Sequence, residues 1–389
     1  MDNNFSFKHI FSVGMHPVYY LIDSYEVSDL VSLFIHENVI AIDQERAPHN
    51  KFYFQKPSLI QISTRKDIYL IDVLKDTNIL EPLNHVLSTP SIVKVFVDAS
   101  SDLYYFQKYF NIAVKGVFDI LIANNLCYPR SNTTPGLPDL VQKVLKIKSF
   151  RKSKREQKSD WTIRPLSPTQ LRYASNEISV FIPLYDTFIK VLKQKNLIPF
   201  SNYANKRLEA EIPDLDYNPL NVRRIKGFDN LPNIQKNRAI QLGIIRDKIA
   251  RKRNKPFYYV FSNVQLLKLA KNTNIKPKDV FTKNQRFSQD EMSFIQQALD
   301  DPSNDTPIED QTKQASFNDL PLLQQKLLLW RNQMSNEFHI PKRFILSKEE
   351  IKLLDYSTKE TLLRNMWFSQ QNNKICNQLT SNLAKNLED

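Results

Sequence analysis

Short apolar runs and longer segments with a helical apolar repeat alternate along residues 1–200. The short runs are rich in β-branched residues, as strands are, and they lie at 17–23, 38–43, 57–64, 67–73 and 93–99. Apolar positions that recur every three to four residues predict helices at 26–37, 101–110, 118–127 and 168–191. The pattern predicts an α/β domain in which helices flank a mixed sheet of about five to six strands.

The strand pattern stops after residue 200, and a helical repeat takes its place. Residues 246–270 align without gaps on residues 331–355, a period of 85 residues, and both copies carry a proline and a serine in register. Each copy predicts a helix, a proline-containing turn and a second helix capped by the serine. The expected domains are an α/β domain at 1–200, a basic linker at 201–231, a small all-α domain at 232–300, an acidic linker at 301–317 and a second small all-α domain at 318–389.

Composition excludes several functional classes. The chain has 389 residues but only five Gly, and it lacks the glycine-rich loops that hold the phosphates of ATP or NAD. Cys127 and Cys376 lie too far apart in the sequence for a disulfide framework or a zinc motif. No export signal is visible at the N-terminus, and no apolar run approaches the roughly 18 residues that span a bilayer. We expect a monomeric cytoplasmic protein with no membrane partner.

The net charge of +13 is concentrated in the middle of the chain. Residues 141–280 hold 30 basic and 11 acidic side chains, whereas residues 1–140 hold 11 basic and 15 acidic ones. A basic surface beside an acidic pocket suits capture of a nucleic-acid backbone next to a cation-dependent reaction. A solvated lysine-rich surface is the alternative explanation of the charge alone.

Acidic residues in separate segments predict a cation site. Asp43 and Glu45 lie two residues apart on a predicted strand and point to the same side of it. Asp102 follows the next apolar run, and Tyr173 and Glu177 lie one helical turn apart. Magnesium and manganese bind carboxylate oxygens, and two such ions can clamp both the attacking and the leaving oxygen of a phosphodiester. The pattern therefore predicts a nuclease with two divalent metal ions, Mg²⁺ or Mn²⁺.

Three motifs in this order resemble the ribonuclease D family of the DEDD exonuclease superfamily. The run AIDQERAPHNKFYFQKPSLIQIS is similar to the family's D-x-E motif, and KVFVDASSDLYYF to its A-x-x-x-D-L segment. The run SDWTIRPLSPTQLRYASNE is similar to the family's DW-x-x-RPL sequence and its tyrosine-type third motif. The helical repeat resembles two HRDC domains. The resemblance implies an RNase H-like fold and a 3′-5′ exoribonuclease that trims RNA 3′ ends, with tRNA precursors as the leading substrate.

The resemblance also implies a role for each acidic position. Asp43 would bridge two metal ions, and Asp102 would hold the ion near the leaving oxygen. Glu45 and Glu177 would hold the ion that activates water, and Tyr173 would orient that water or help to deprotonate it.

Two residues depart from the family's pattern, which has Asp where this chain has Glu177 and His where it has Asp98. A catalytically impaired member that still binds RNA is therefore the alternative. Nothing in these residues decides between RNA and DNA as the substrate.

Basic and aromatic residues outside the acidic positions are candidates for nucleic-acid binding. The first repeat carries six cations within ten residues, which we interpret as contacts to the RNA backbone. Trp161 and Arg164 are assigned to the substrate path, with a core tryptophan and an arginine–carboxylate pair as the alternative. The candidates are Lys154, Trp161, Arg164, Arg246, Arg251, Lys252, Arg253 and Lys255.

Overall fold

The computed structural model describes residues 7–129, 134–272, 275–282, 285–300, 320–354 and 359–387. These residues form two compact units. The first unit comprises the described parts of Met1–Arg46, Pro57–Asp214 and Ala315–Asp389, and the second unit those of Ala47–Lys56 and Leu215–Gln314. Among the described residues, no helix is both long enough and apolar enough to cross a membrane.

A mixed seven-stranded sheet forms the centre of the first unit, in the order β1-β2-β5-β4-β3-β6-β7. Its strands are β1 (His9–Val13), β2 (His16–Leu21), β3 (Val39–Arg46), β4 (Pro57–Ser63), β5 (Ile68–Asp72), β6 (Val93–Phe96) and β7 (Val117–Asp119). The predicted mixed sheet is confirmed, and β3 pairs antiparallel with β4 and parallel with β6. The apolar pattern missed β1, a partly exposed edge strand, and β7, which has three residues.

Helices cover both faces of the sheet. They are α1 (Ser24–Phe34), α2 (Asn84–Ser88), α3 (Ala99–Phe110), α4 (Ile120–Cys127), α5 (Leu137–Leu140), α6 (Lys154–Gln157), α7 (Pro168–Ile178), α8 (Phe181–Gln194) and α9 (Ile198–Ala210). Phe34 and Phe106 are fully buried in the core on one face, and Phe188 and Phe200 are fully buried in the core on the other. This arrangement explains why the central strands are apolar on both sides.

Two predicted boundaries were wrong. The helix expected at 168–191 is divided into α7 and α8, because Pro183 has no backbone N–H to donate to the carbonyl one turn earlier. The linker expected from residue 201 begins inside α9, whose Phe200 and Ala204 are buried in the core of the first unit. The acidic linker expected at 301–317 lies outside the described residues.

The second unit is helical and has its own core. It contains α10 (Asn233–Arg253), α11 (Phe257–Val260), α12 (Asn263–Lys271) and α13 (Gln289–Asp300), and Phe261, Leu266 and Ile295 are fully buried in it. Residues 47–56, which follow β3, belong to this unit. The hydroxyl of Tyr53 donates to Oδ1 of Asp247 on α10 at 2.5 Å. A short segment between β3 and β4 is thereby fixed to the helical unit.

Equivalent contacts recur in both copies of the 85-residue repeat. The second copy contains α14 (Leu322–Phe338), α15 (Lys348–Leu353), α16 (Lys359–Asn365) and α17 (Lys374–Asn386). Arg246 and Arg331 are buried, and each donates to a backbone carbonyl 15 residues further along, at 3.2 and 2.9 Å. Ser262 and Ser347 each cap the helix that follows, in a capping box.

The second copy is part of the first unit instead of a separate domain. The indole ring of Trp367 stacks on the ring of Tyr203 in α9, with 4.3 Å between centroids. Arg207, also in α9, lies 3.5 Å from a carboxylate oxygen of Glu350. Apolar residues of α14 and α17 therefore continue the core that begins at the sheet. A period in the sequence reveals two copies, but it does not reveal what each copy packs against.

Candidate active site

Four carboxylates come together at one edge of the sheet. Asp43 and Glu45 lie in the second half of β3, and Asp102 lies in the first turn of α3, directly after β6. Because β6 runs parallel to β3, both strands end at the same edge. Glu177 lies on α7, which packs against β3, β4 and β5. We call Asp43, Glu45, Asp102 and Glu177 the acidic cluster.

Burial raises the pKa of each carboxyl in the acidic cluster, and repulsion between its members adds to this for Asp43 and Glu45. For Asp43 burial is the larger cause, followed by the charges of Asp102 and Glu177. For Glu45 burial again comes first, followed by the charge of Asp43. Carboxylates are costly in such surroundings unless a positive charge compensates them. The cluster therefore has the electrostatics of a cation site.

Asp102 has its own polar neighbours. Nε2 of Gln44, the residue between Asp43 and Glu45, donates to Oδ1 of Asp102 at 2.7 Å. Burial raises the pKa of Asp102, while the nearby guanidinium of Arg46 lowers it. Asp98 is exposed at the start of α3, and its charge opposes ionisation of Asp102. Sequence reasoning did not single out Gln44, although it occupies the middle position of the first motif.

Lys152 enters the acidic cluster from the basic loop before α6. Its Nζ lies 2.9 Å from Oε2 of Glu177. Burial raises the pKa of Glu177, and the Lys152 ammonium opposes that shift. This lysine was not among the predicted site residues. The only sign of it in the sequence was the density of basic residues in that loop, which does not tell which side chain turns inwards.

Tyr173 presents a buried hydroxyl beside the cluster. Within the described chain, its hydroxyl oxygen and Oε1 of Glu177 are both buried and make no hydrogen bond. Burial, followed by the charges of Glu177 and Glu45, raises the pKa of Tyr173. The hydroxyl therefore stays protonated at neutral pH. The ring of Trp161 lies 6.0 Å from the Tyr173 ring and fixes its position from within the core.

The assignment of Trp161 and Arg164 to the substrate path was wrong. Trp161 is 1% exposed. The guanidinium of Arg164 donates to Oδ1 of Asp72 at 2.7 Å and to the backbone carbonyl of Ser58 at 2.9 Å. The alternative, a core tryptophan with an arginine–carboxylate pair, is what the structure contains. The Arg164 side chain attaches the loop before α7 to β4 and β5, and the ring of Trp161 packs beside Tyr173.

The basic cluster of the first repeat is divided between internal and exposed side chains. Arg246 is 1% exposed and donates to Oδ1 of Asn263 at 2.9 Å, so its assignment to RNA binding was wrong. Arg251 pairs with Asp247 at 2.8 Å, and Nε of Arg253 donates to Glu291 at 3.1 Å. The remaining candidates, which are exposed, are Lys154, Lys252 and Lys255.

The acidic cluster offers the type of ligand that a divalent cation binds. Two of its carboxylates, however, are engaged by other protein side chains. Among the described residues, no three acidic, histidine or cysteine side chains surround one point that would hold a metal ion. Glu177 is turned to Lys152, and Asp102 to Gln44. All four members nevertheless offer the carboxylate oxygens that Mg²⁺ and Mn²⁺ bind.

Comparison with known proteins shows what the segment that carries this site is similar to. Residues 20–193 match the family model for a 3′-5′ exonuclease. The exosome complex exonuclease RRP6 of Saccharomyces cerevisiae is 34% identical over 177 residues, which are 44% of this chain and 23% of that protein. Ribonuclease D of Xanthomonas oryzae is 26% identical over 308 residues, which are 78% of this chain and 82% of that protein. Over these segments the chain is similar in sequence to an exosome exonuclease and to a ribonuclease D.

The fold agrees with this relationship. The crystal structure of Escherichia coli RNase D superimposes with a TM-score of 0.63 at 19% identity, covering 95% of this chain and 98% of that one. At this identity the likeness shows the fold alone. The chain spans 23–30% of the length of three exosome-complex relatives, from Saccharomyces cerevisiae, Homo sapiens and Mus musculus.

Proposed function

We propose that this protein is a metal-dependent 3′-5′ exoribonuclease whose active site is the acidic cluster. One observation carries the proposal: four carboxylates with raised pKa values meet at one sheet edge, inside the segment that matches the exonuclease family model. Buried carboxylates need a compensating positive charge. The same positive charge would stabilise the negative charge that develops on a phosphodiester during hydrolysis. The homologous nucleases make RNA the preferred substrate.

The acidic cluster would hold two divalent metal ions, Mg²⁺ or Mn²⁺. When bound, they would lower the pKa of a water molecule and neutralise charge that develops on the phosphodiester. Asp43 faces both Asp102 and Glu177, which suits it to share both ions. The buried hydroxyl of Tyr173, which keeps its proton, would orient the attacking water by hydrogen bonding instead of acting as a base.

Structured RNA with a single-stranded 3′ end is the proposed substrate, and tRNA precursors are the leading example. Two observations support this choice. E. coli RNase D, whose fold this chain shares, is an exoribonuclease involved in structured RNA processing. Residues 215–300 carry 17 Lys and Arg against 7 Asp and Glu, which favours a polyanion. The repeat copies would be HRDC-type modules.

The test is an assay on an RNA hairpin that is labelled at its 5′ end and carries a single-stranded 3′ tail. With Mn²⁺ or Mg²⁺ we expect a ladder that shortens from the 3′ end and stops at the helix, and with chelator we expect none. Asp43→Asn should abolish cleavage. Arg65→Ala, which removes an exposed ion pair with Asp186, should cleave like the wild type. Internal cleavage, or cleavage that persists in Asp43→Asn, would refute the proposal.

The contact between Lys152 and Glu177 favours a second candidate, an impaired nuclease that binds RNA without cutting it. The same assay separates the two. Retention of the labelled RNA without shortening under all metal conditions would support the second candidate. A matched DNA hairpin in parallel distinguishes an exoribonuclease from an exonuclease that acts on DNA.

A further inference from the structure

The Lys152–Glu177 pair lies at the acidic cluster, in a largely desolvated position. The Glu177 side chain is 5% exposed and that of Lys152 26% exposed, and 2.9 Å separates Nζ from Oε2. An ion pair this shielded is stronger than one at the surface. The second carboxylate oxygen of Glu177, Oε1, is buried and has no hydrogen-bond partner within the described chain. Lys152 thus binds one oxygen of Glu177, while the Tyr173 hydroxyl lies beside the same carboxylate.

The Lys152 ammonium acts on more than its direct partner. The ammonium also lies close enough to Asp43 and Glu45 for its charge to attract both carboxylates. Its Nζ lies 5.8 Å from the centre of the Tyr173 ring. One positive charge therefore partly compensates three of the four carboxylates in the acidic cluster, which is the electrostatic effect expected of a bound cation.

Other basic side chains in the same loop are used differently. The guanidinium of Arg151 donates to the backbone carbonyl of Phe150 at 2.9 Å. Arg155 is 92% exposed at its side chain, and Lys154 and Lys158 are exposed as well. The inward position of Lys152 is therefore specific to that residue and does not follow from the general charge of the loop.

We propose that Lys152 is a positioning residue that takes the place of a metal ion beside Glu177 in the metal-free protein and withdraws when a divalent cation binds. The inference rests on the proposed function, because it assumes that the acidic cluster binds such cations. It explains why four carboxylates lie together although no three of the described acidic side chains are arranged around one metal position. Glu177, which is longer than aspartate by one methylene, reaches the lysine.

The test is titration of the full-length, RNA-free protein with Mn²⁺ by isothermal calorimetry. Lys152→Met removes the competing charge, so we expect about tenfold tighter Mn²⁺ binding than in the wild type. Lys158→Met makes the same change of charge at an exposed position of the same loop and should leave the affinity unchanged. Lys152→Arg keeps the charge and should bind Mn²⁺ as the wild type does.

Thermal unfolding separates positioning from a purely structural role. Metal-free Lys152→Met should melt below the wild type, because the carboxylates lose their compensating charge, and Mn²⁺ should raise its melting temperature by more than it raises that of the wild type. Unchanged or weaker Mn²⁺ binding in Lys152→Met would overturn the inference. Mn²⁺ binding by neither protein would instead refute the proposed metal-dependent function, on which the inference depends.

Discussion

Glu177 and Asp102 carry the same charge in one cluster, yet they have different neighbours. Glu177 meets the ammonium of Lys152, whereas Asp102 meets the amide of Gln44 and the charge of Arg46. The charge of Asp43 is opposed by both acids. The environment of each residue therefore decides how much its ionisation costs. Asp43 and Glu45, which each face two other carboxylates of the cluster, gain from a bound cation.

The raised pKa of Asp43 predicts how the stability of the metal-free protein depends on pH. The folded protein holds the carboxyl proton of Asp43 more tightly than the unfolded chain does, where the pKa of an aspartate is about 3.9. Stability is therefore fully present below pH ~4 and falls as the pH rises through the raised pKa. Asp43→Asn removes this loss.

We expect metal-free Asp43→Asn to melt about 2–6 °C above the wild type at pH 8, and the difference to disappear near pH 4. Thermal unfolding in chelator across this range measures it. A difference that stays constant with pH would mean that Asp43 is not held in surroundings that oppose its charge.

Sequence reasoning identified the acidic positions because each lies at a recognisable place, at the end of a strand or one turn apart on a helix. It missed Lys152, because no local pattern determines which side chain of a basic loop turns inwards. It misplaced Arg246, since a count of cations along a helix ignores which face is buried. Arg246 lies on the buried face of α10, while Lys252 is exposed.

At the level of elements, the loop before α7 matters most, because it positions Tyr173. Arg164 connects this loop to β4 and β5, and Trp161 supports the tyrosine ring. Burial raises the pKa of Asp72, but the hydrogen bonds from Arg164 and Tyr20 outweigh burial and lower it overall. The DW-x-x-RPL motif thus has a structural role, because it holds the loop before α7 against β4 and β5. Sequence alone left this open, because a tryptophan and an arginine serve equally well in a core and in a binding groove.

The two ion pairs Arg164–Asp72 and Arg65–Asp186 should differ in stability contribution. Arg164→Ala leaves the largely buried Asp72 without its partner and should cost about 3 kcal/mol. Arg65→Ala breaks a pair whose side chains are 50% and 37% exposed and should cost less than about 1 kcal/mol. Urea unfolding of both variants measures this. An equal loss of unfolding free energy in both variants would show that the Arg164–Asp72 pair stabilises the protein no more than an exposed pair does.

At the level of the whole molecule, the repeat copies have different surroundings. The second copy shares the core of the first unit, and the first copy forms the second unit with residues 47–56. Sequence periodicity predicted both copies, because a proline, a capping serine and the apolar positions recur in register. It did not predict their surroundings, since packing between distant segments depends on the shape of whole surfaces.

The second copy should therefore stabilise the first unit. Trp367→Ala removes a half-buried ring that stacks on Tyr203 and lies 5.0 Å from the ring of Phe200. We expect it to cost about 2–4 kcal/mol of the free energy of unfolding of that unit. Urea unfolding monitored by far-UV circular dichroism measures the loss. Val264→Ala, which truncates an exposed residue of the second unit, is the control and should change little. An effect of the same small size for both would contradict a shared core.

The exposed lysines of the first copy should contact the RNA backbone. Lys252→Gln together with Lys255→Gln should weaken RNA binding and reduce the slope of log K against log salt by about 1.4, at ~0.7 per phosphate contact on a single strand. Lys374→Gln with Lys385→Gln makes the same change of charge on the second copy and should leave the slope unchanged. Fluorescence anisotropy at several salt concentrations decides this. Equal slopes in both double variants would show that these lysines do not contact phosphates.

We propose that the acidic cluster hydrolyses RNA from its 3′ end with divalent metal ions. The most direct measurement is the release of nucleoside 5′-monophosphates from a single-stranded RNA whose 3′-terminal nucleotide is radiolabelled, with Mn²⁺, by the wild type, Asp43→Asn and Glu177→Asp. We predict immediate release of labelled mononucleotide by the wild type, none by Asp43→Asn, and release at an altered rate by Glu177→Asp. The proposed hydrolysis would be contradicted if the wild type and Glu177→Asp both bound the RNA and neither released the label.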